Sequence, residues 1–321
     1  MEKNHQIAFI IPPGAHLLDF SGPAHIFYEA RDYGAPFDNL FVNIVSEKVA
    51  LTSAGMMVSE LLDFEDLSMQ KGDLIFIPGL DADLLLKDDF KKRISQFLDW
   101  LKTQHQNEVT ICTVCTGAYI PAFAGLLDHQ KATTHWKYLD RFEQAFPEIT
   151  IIKNRLFVES SNIYSSAGVA SGIDLALFMV EKLMGSYFTA KIAREVVIYL
   201  RRGEEDPQLS IFLQYRNHLE DKVHFIQDWL SQNLDKKITV DQLADLVHTS
   251  PRNLTRLFKK STGTTIGKYL DQLRVEHALH LLDQGDKVSA VTHQCGLSSP
   301  NQLREILKKY TGKLPSELSE S

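Results

Sequence analysis

Residues 250–263, SPRNLTRLFKKSTG, return at residues 299–312 as SPNQLREILKKYTG. Setting Leu254 on Leu303 also sets Ser250 on Ser299, Pro251 on Pro300, Lys259 and Lys260 on Lys308 and Lys309, and Gly263 on Gly312. Each copy predicts one short helix with both ends marked. A serine N-cap offers its oxygen to an orphan backbone N–H, and proline is tolerated in the first turn. Glycine at the far end takes a left-handed cap at least cost. Leu254, Leu257 and Phe258 form an apolar stripe in the first copy, as Leu303, Ile306 and Leu307 do in the second. The open face of the first then carries Arg252, Asn253, Thr255, Arg256, Lys259 and Lys260, and that of the second Asn301, Arg304 and Lys308. A helix with an apolar back and a basic, hydrogen-bonding front suits the major groove of double-stranded DNA.

The duplication extends upstream. VDQLADLVHTS precedes the first copy and VSAVTHQCGLSS the second, each read as a short helix and a tight turn. The second turn holds Gly296 and is longer by one residue. Between the two units, residues 265–284 predict one connecting helix with Ile266, Tyr269, Leu270, Leu273, Ala278, Leu281 and Leu282 turned inward. At 1.5 Å per residue it spans roughly 30 Å, near the ~34 Å between successive major-groove faces. LADLVHTSPRNLTRLFKKSTGTTIGKYL and CGLSSPNQLREILKKYTGKLPSEL resemble the AraC-type DNA-binding domain over residues 223–318. Two positions depart from that pattern. Thr292 stands where the family has a small alanine, and Glu305 puts an acid on the second reading helix.

The net charge of −7 looks wrong for a DNA binder until it is divided. Residues 216–321 carry 15 Lys and Arg against 13 Asp and Glu, whereas residues 1–215 carry 19 against 28. The acidity belongs to the front of the chain, so the whole-chain balance does not weigh against a basic face at the back. With 321 residues there is room for two cores. No apolar run approaches the roughly 18 residues of a membrane span. The opening MEKNHQIAFIIPPG breaks too soon at Pro12 and Pro13 for a signal peptide. Three cysteines, Cys112, Cys115 and Cys295, give no disulfide framework, and a cytoplasmic location is expected.

The front reads as alternating strands and helices: strands at 6–11, 41–45, 74–77, 109–113 and 156–158, and helices at 18–30, 90–104, 118–126, 169–184 and 187–202. Residues 165–168 are expected to be a loop. That alternation predicts an α/β doubly wound domain. Ligands in such sheets bind beyond the carboxyl ends of the strands. Asp19, Gly79, Cys115 and His135 all fall there. Helix N–H groups beside Cys115 can lower a thiol pKa, and the N–H groups of Leu80 and Thr116 could line an oxyanion site. Each residue also has an ordinary structural role open to it. A cysteine can be a small buried hydrophobe, Asp19 can cap the following helix, and His135 can be a hydrogen-bonded structural histidine.

LLDFSGPAHIF, IPGL, VCTGAYIPAFAGLLDHQKATTHW and SSAGVASGIDLALFMVE resemble the PfpI-type, class I glutamine-amidotransferase-like fold, and within it the isocyanide hydratase branch. The resemblance implies that Cys115 is a nucleophile and Asp19 its carboxylic partner; His135, from its place after a strand, is a further candidate for catalysis or for the ligand pocket alone. Leu80 stands where the family has a second glycine, which is expected to crowd the oxyanion site. A PfpI fold joined to an AraC-type reader is the layout of the GlxA-like transcription regulators. The expected organisation is therefore an α/β sensing domain over residues 1–203, a linker over 204–217, and an all-α tandem helix-turn-helix domain over 218–321. A small-molecule effector is expected at Asp19, Gly79, Leu80, Cys115, Thr116 and His135, with no metal and no cofactor. Double-stranded DNA, a second copy in a homodimer and RNA polymerase are the expected partners, and no membrane. A cysteine-dependent hydratase or amidase, or a thiol redox sensor, remain open as alternatives.

Overall fold

The computed structural model describes residues 4–45, 47–153, 155–198, 215, 218–283 and 285–315. The chain divides into two compact units, Met1–Gln208 and Leu209–Ser321. Apart from Tyr215, the expected linker 204–217 lies outside the described residues.

In the first unit the chain runs β1 His5–Ile10, α1 Leu17–Asp32, β2 Phe37–Asn43, β3 Val49–Leu51, β4 Met57–Ser59, β5 Leu62–Asp63, β6 Leu74–Ile77 and α2 Ala82–Leu85. It continues through α3 Asp88–Arg93, α4 Ser95–Gln106, β7 Thr110–Val114, α5 Tyr119–Phe123, β8 Lys131–Ala132 and α6 Leu139–Ala145. It ends with β9 Thr150–Ile151, β10 Phe157–Ser160, β11 Ile163–Ser166, α7 Ala170–Met184 and α8 Ser186–Glu195. The main sheet has strand order β10-β11-β7-β6-β1-β2-β5, parallel except for the β10–β11 pair. Its central strands are buried on both faces, which is why they read as unbroken apolar runs. Successive side chains alternate between two cores. Ile7, Phe9 and Phe76 pack with α1 and α7, whereas Ala8, Ile10, Ile75 and Ile77 pack with Phe97 and Leu101 of α4. From β1 the sheet grows one way through β2 and the other way through β6, so the strand order reverses between β1 and β6. A ligand crevice is expected beyond the carboxyl ends of strands at such a reversal.

Several expected elements shift. The strand placed at 41–45 is Phe37–Asn43, because its pairing with β1 begins at His5↔Phe37. The helix placed at 90–104 breaks into α3 and α4 at Ile94, a buried residue at φ −100, ψ 11. Anchoring that side chain in the core sets the change of direction. The helix placed at 118–126 stops at Phe123, ahead of Gly125 at φ 73. Ser165 and Ser166 are strand rather than loop; they pair with Thr113 and Val114, and the Ser165 hydroxyl accepts the Thr133 N–H at 2.9 Å. The helix placed at 187–202 ends at Glu195, and residues 199–202 lie outside the described ones.

The second unit is helical: α9 Asp221–Gln232, α10 Val240–Leu246, α11 Pro251–Thr262, α12 Ile266–Asp283, α13 Val288–Gln294 and α14 Pro300–Thr311. Both reading helices keep the ends that the repeat announces. Ser250 accepts the Asn253 N–H and Ser299 the Gln302 N–H, each at 3.3 Å, and Gly263 and Gly312 close them at φ 76 and φ 75. Thr239 and Gln242 form a capping box ahead of α10. The turn before α11 places His248 at φ 49 where the second turn has Gly296 at φ 63. Histidine is among the few side chains tolerated in that region. The connecting helix α12 has 18 residues, or about 27 Å. Thr292, in the place of an alanine, is buried with its hydroxyl satisfied by the Val288 carbonyl at 2.6 Å, so the extra polar group is not orphaned. Among the described residues no helix is long and apolar enough to cross a membrane.

Candidate functional site

Four strand ends converge beyond the sheet. His16 and Asp19 follow β1, Gly79 and Leu80 follow β6, Cys115 and Thr116 follow β7, and Gly168 and Val169 follow β11. Cys115 opens a one-turn 3-10 helix at φ 58, a conformation costly for a side chain that bears a Cβ. The Thr134 hydroxyl holds it by donating to the Cys115 carbonyl at 2.8 Å. Asp19 is 1% exposed, and its two carboxyl oxygens accept the Gly79 and Val169 N–H groups, each at 3.0 Å. His16 Nδ1 lies 3.6 Å from the same carboxyl group. A Cβ on Gly79 would sit 2.7 Å from Asp19 Oδ2 and 2.8 Å from the Cys115 Cβ. Nothing larger than glycine fits between the acid and the thiol.

The thiol is buried at 3% exposure, and its pKa is pushed up to about 12. Burial is the main cause and the Asp19 charge the second; the Thr116 N–H and hydroxyl pull the other way without offsetting them. This departs from the expected lowering by helix N–H groups. The effect of a one-turn helix on the thiolate is too small to outweigh desolvation beside a carboxylate. One member of the expected oxyanion pair is also committed elsewhere. The Leu80 N–H donates to the Thr116 hydroxyl at 2.9 Å, which donates back to the Leu80 carbonyl at 2.5 Å. The Leu80 side chain does not crowd the thiol, because it packs into the core on the α4 side while Cys115 belongs to the other.

His135 is half-buried, with Nδ1 accepting the Lys137 N–H at 3.3 Å and its ring between Trp136 and Tyr138. Burial holds its pKa below the ordinary value, with Asp19 opposing. The structure also brings His16, which the sequence reading passed over, beside the thiol and acid. Ligand atoms of His16, Asp19 and Cys115 all lie within 4.8 Å of one another. Its only sequence signal is a histidine three residues before an acid at a helix start. A mixed nitrogen, oxygen and sulfur set is of the kind that zinc accepts, but bonds near 2.0–2.3 Å would need the three to close further.

Thiol pKa and stability are linked. A thiol raised from 9.0 to about 12 keeps its proton in the folded state while the unfolded chain loses it. Stability should therefore fall above pH 9, by at most about 1.4 kcal/mol per pH unit for this group. Urea melts at pH 8, 9 and 10 should show a shallower decline for Cys115→Ser than for the parent. A rise in the parent's stability between pH 7 and 9 that Cys115→Ser removes would mean that the thiol is ionised in the fold.

The second unit presents the basic face. Arg252, Asn253, Thr255, Arg256, Lys259 and Lys260 on α11, and Asn301, Arg304 and Lys308 on α14, are all exposed. Five of them are tied to groups in or next to their own helix. Asn253 donates to Thr249 Oγ1 at 2.9 Å and accepts from Arg256 at 3.1 Å, so both ends of its amide are used. The Thr255 hydroxyl donates to the Pro251 carbonyl at 2.9 Å. Asn301 holds Arg304 in the same way, at 3.0 Å.

Residues 5–182 match the DJ-1/PfpI family, and residues 243–321 match the helix-turn-helix domain family. The chain belongs to the DJ-1/PfpI family. With its AraC-type helix-turn-helix domain, this DJ-1/PfpI protein is a DNA-binding transcription regulator of the GlxA kind. The HTH-type transcriptional regulator CdhR of Pseudomonas aeruginosa is 26% identical, over 96% of this chain and 90% of its own length. An isonitrile hydratase of Pseudomonas putida is 31% identical, over 56% of this chain and 72% of its own. Among solved structures, an AraC family transcriptional regulator from Pseudomonas putida superposes with a TM-score of 0.51 at 17% identity, covering 60% of this chain and 99% of that one.

Proposed function

We propose that this regulator senses a small molecule at the His16–Asp19–Cys115 site and does not turn it over. Residues 1–203 form the sensing domain and residues 218–321 the DNA-binding domain, with 204–217 as the linker. The observation that carries this reading is the state of the thiol. Burial first and the Asp19 charge second push its pKa up, which keeps Cys115 protonated at pH 7. Of the two N–H groups that would receive an oxyanion, that of Leu80 is already engaged by Thr116. A protonated thiol, a carboxyl group and an imidazole make a polar recognition surface, whereas covalent catalysis needs a thiolate. The effector changes DNA binding to the extent that it prefers one state of the protein over another. The protein acts in the cytoplasm as a homodimer, with RNA polymerase as its partner at the promoter.

The test is a thermal-shift screen of the full chain against small amines, amino acids, nitriles and isonitriles, followed by DNA binding with the compound that shifts it. Cys115→Ser should keep both the shift and the compound's effect on DNA binding. Product formed by the parent and lost in Cys115→Ser would replace sensing with hydratase or amidase chemistry. Loss of an oxidant response alone would make Cys115 a redox switch.

A further inference from the structure

The hydrophobic interior of the helical unit is split in two. Leu254, Phe258 and Leu273 belong to a core around the first helix-turn-helix, and Val275, Leu303 and Leu307 to a separate core around the second. Both cores draw on α12, and the changeover falls between Leu273 and Val275. The residue at the changeover is Arg274, half-buried. Its guanidinium donates to the Leu234 carbonyl through Nε and Nη2, each at 3.3 Å, and to the Lys236 carbonyl through Nη2 at 3.1 Å. Those carbonyls lie in the loop between α9 and α10, which is part of the first unit. The second unit meets the same loop through its own turn. Gly296 is at φ 63, and a Cβ there would lie 2.4 Å from the Leu234 oxygen and 2.8 Å from Arg274 Nη2. Next to it, the Cys295 thiol donates to the Arg274 carbonyl at 3.6 Å.

Three pieces thus meet at one point: the α9–α10 loop of the first unit, the midpoint of the connecting helix, and the turn of the second unit. Apolar packing alone would set their angle only to within about 15–20°. Charge-assisted hydrogen bonds from a planar guanidinium are directional and do fix one. The close approach at Gly296 removes the slack that a bulkier turn would introduce. We propose that Arg274 and Gly296 form a joint that sets the second helix-turn-helix unit against the first, and so selects the spacing of the two DNA boxes that the protein accepts.

The proposal rests on both units reading DNA. Each base pair inserted between the boxes turns the second by about 35°, so a fixed joint makes spacing costly. The probe is the tightest duplex that the full-length parent selects from a random pool, with and without two base pairs inserted between its two boxes. The insertion should weaken binding by the parent by about tenfold or more. Arg274→Gln and Gly296→Ala should bind the uninterrupted duplex more weakly than the parent and lose no more than about twofold further on insertion. General loss of stability would lower affinity for both duplexes alike and keep the parent's penalty, so a retained penalty in Arg274→Gln overturns the joint. Should Gly296→Ala fail to fold by circular dichroism, Arg274→Gln decides alone. A parent that shows no penalty, with only one box protected in a footprint, overturns the two-reader reading itself.

Discussion

Replacing Gly168 with alanine should destabilise the α/β unit by about 3 kcal/mol or more. Gly168 sits at φ 102, where a side chain is strained whatever the space around it. The space is also taken. A Cβ would lie 2.5 Å from the Cys115 Cβ and 2.7 Å from its Cα, and neither atom is the far end of a flexible side chain. Relief would have to come from the Cys115 backbone, itself held at φ 58 with its carbonyl bonded to Thr134. A shift there would pull Val169 away from Asp19, whose carboxyl accepts the Val169 N–H. Gly185 provides the control. It ends α7 at φ 83 with nothing within 4 Å of an added Cβ. Gly185→Ala therefore carries backbone strain alone, at φ 83 and ψ 162, and should cost about 1–3 kcal/mol. Urea denaturation of the two variants beside the parent measures the difference. Equal losses would show that the contact with Cys115 contributes nothing.

The same residues show where sequence reasoning reaches and where it stops. β1, β6 and β7 were legible because a parallel strand buried on both faces needs an unbroken apolar run. The reading helices were legible because Ser-Pro and Gly mark both ends, and because the mark is written twice. The break at Ile94 was not legible. A buried isoleucine suits a continuous amphipathic helix as well as a bent one, and the choice rests on the cores around it. β11 was hidden by its composition: Ser165 and Ser166 read as loop until Thr133, distant in sequence, provides a hydrogen bond.

Within the site, Asp19, Gly79, Cys115 and Thr116 could be placed together because each follows a strand. Their electrostatics could not be read. Whether a strand-end thiol is lowered or raised depends on burial and on the partner brought beside it. Here burial raises it and the partner, Asp19, raises it further. The commitment of the Leu80 N–H to Thr116 is likewise a meeting of two loops 36 residues apart. His16 went unnoticed because its importance comes from the strand before it and the helix after it. The backbone fixes it by bonding its N–H to the Gly79 carbonyl at 2.8 Å.

Arg256→Ala should cost about 1–3 kcal/mol on a specific DNA site and relax base preference at one position. The guanidinium is exposed on α11 and already oriented by Asn253, which spares part of the entropy of fixing it against a base. Asn253→Ala should then lose less than Arg256→Ala but in the same direction, since it removes the orientation and leaves the contact. Lys260→Ala should weaken binding to all sequences alike and reduce the salt slope, as a phosphate contact does. The second helix repeats the Asn–Arg pair with a difference. In the alignment that sets Leu254 on Leu303, Arg304 falls opposite Thr255, and Arg256 opposite Glu305. A shift of one residue rotates a side chain by about 100° around the helix axis. The two arginines therefore occupy different faces of their helices, and the acid of the second helix stands where the first has Arg256. The two DNA boxes should differ in sequence, with the first reading helix supplying more of the affinity. Competition binding with random DNA at two salt concentrations checks this. Equal losses by Arg256→Ala on specific and random duplexes would remove it from base reading, and two identical boxes would show that the one-residue shift is without consequence.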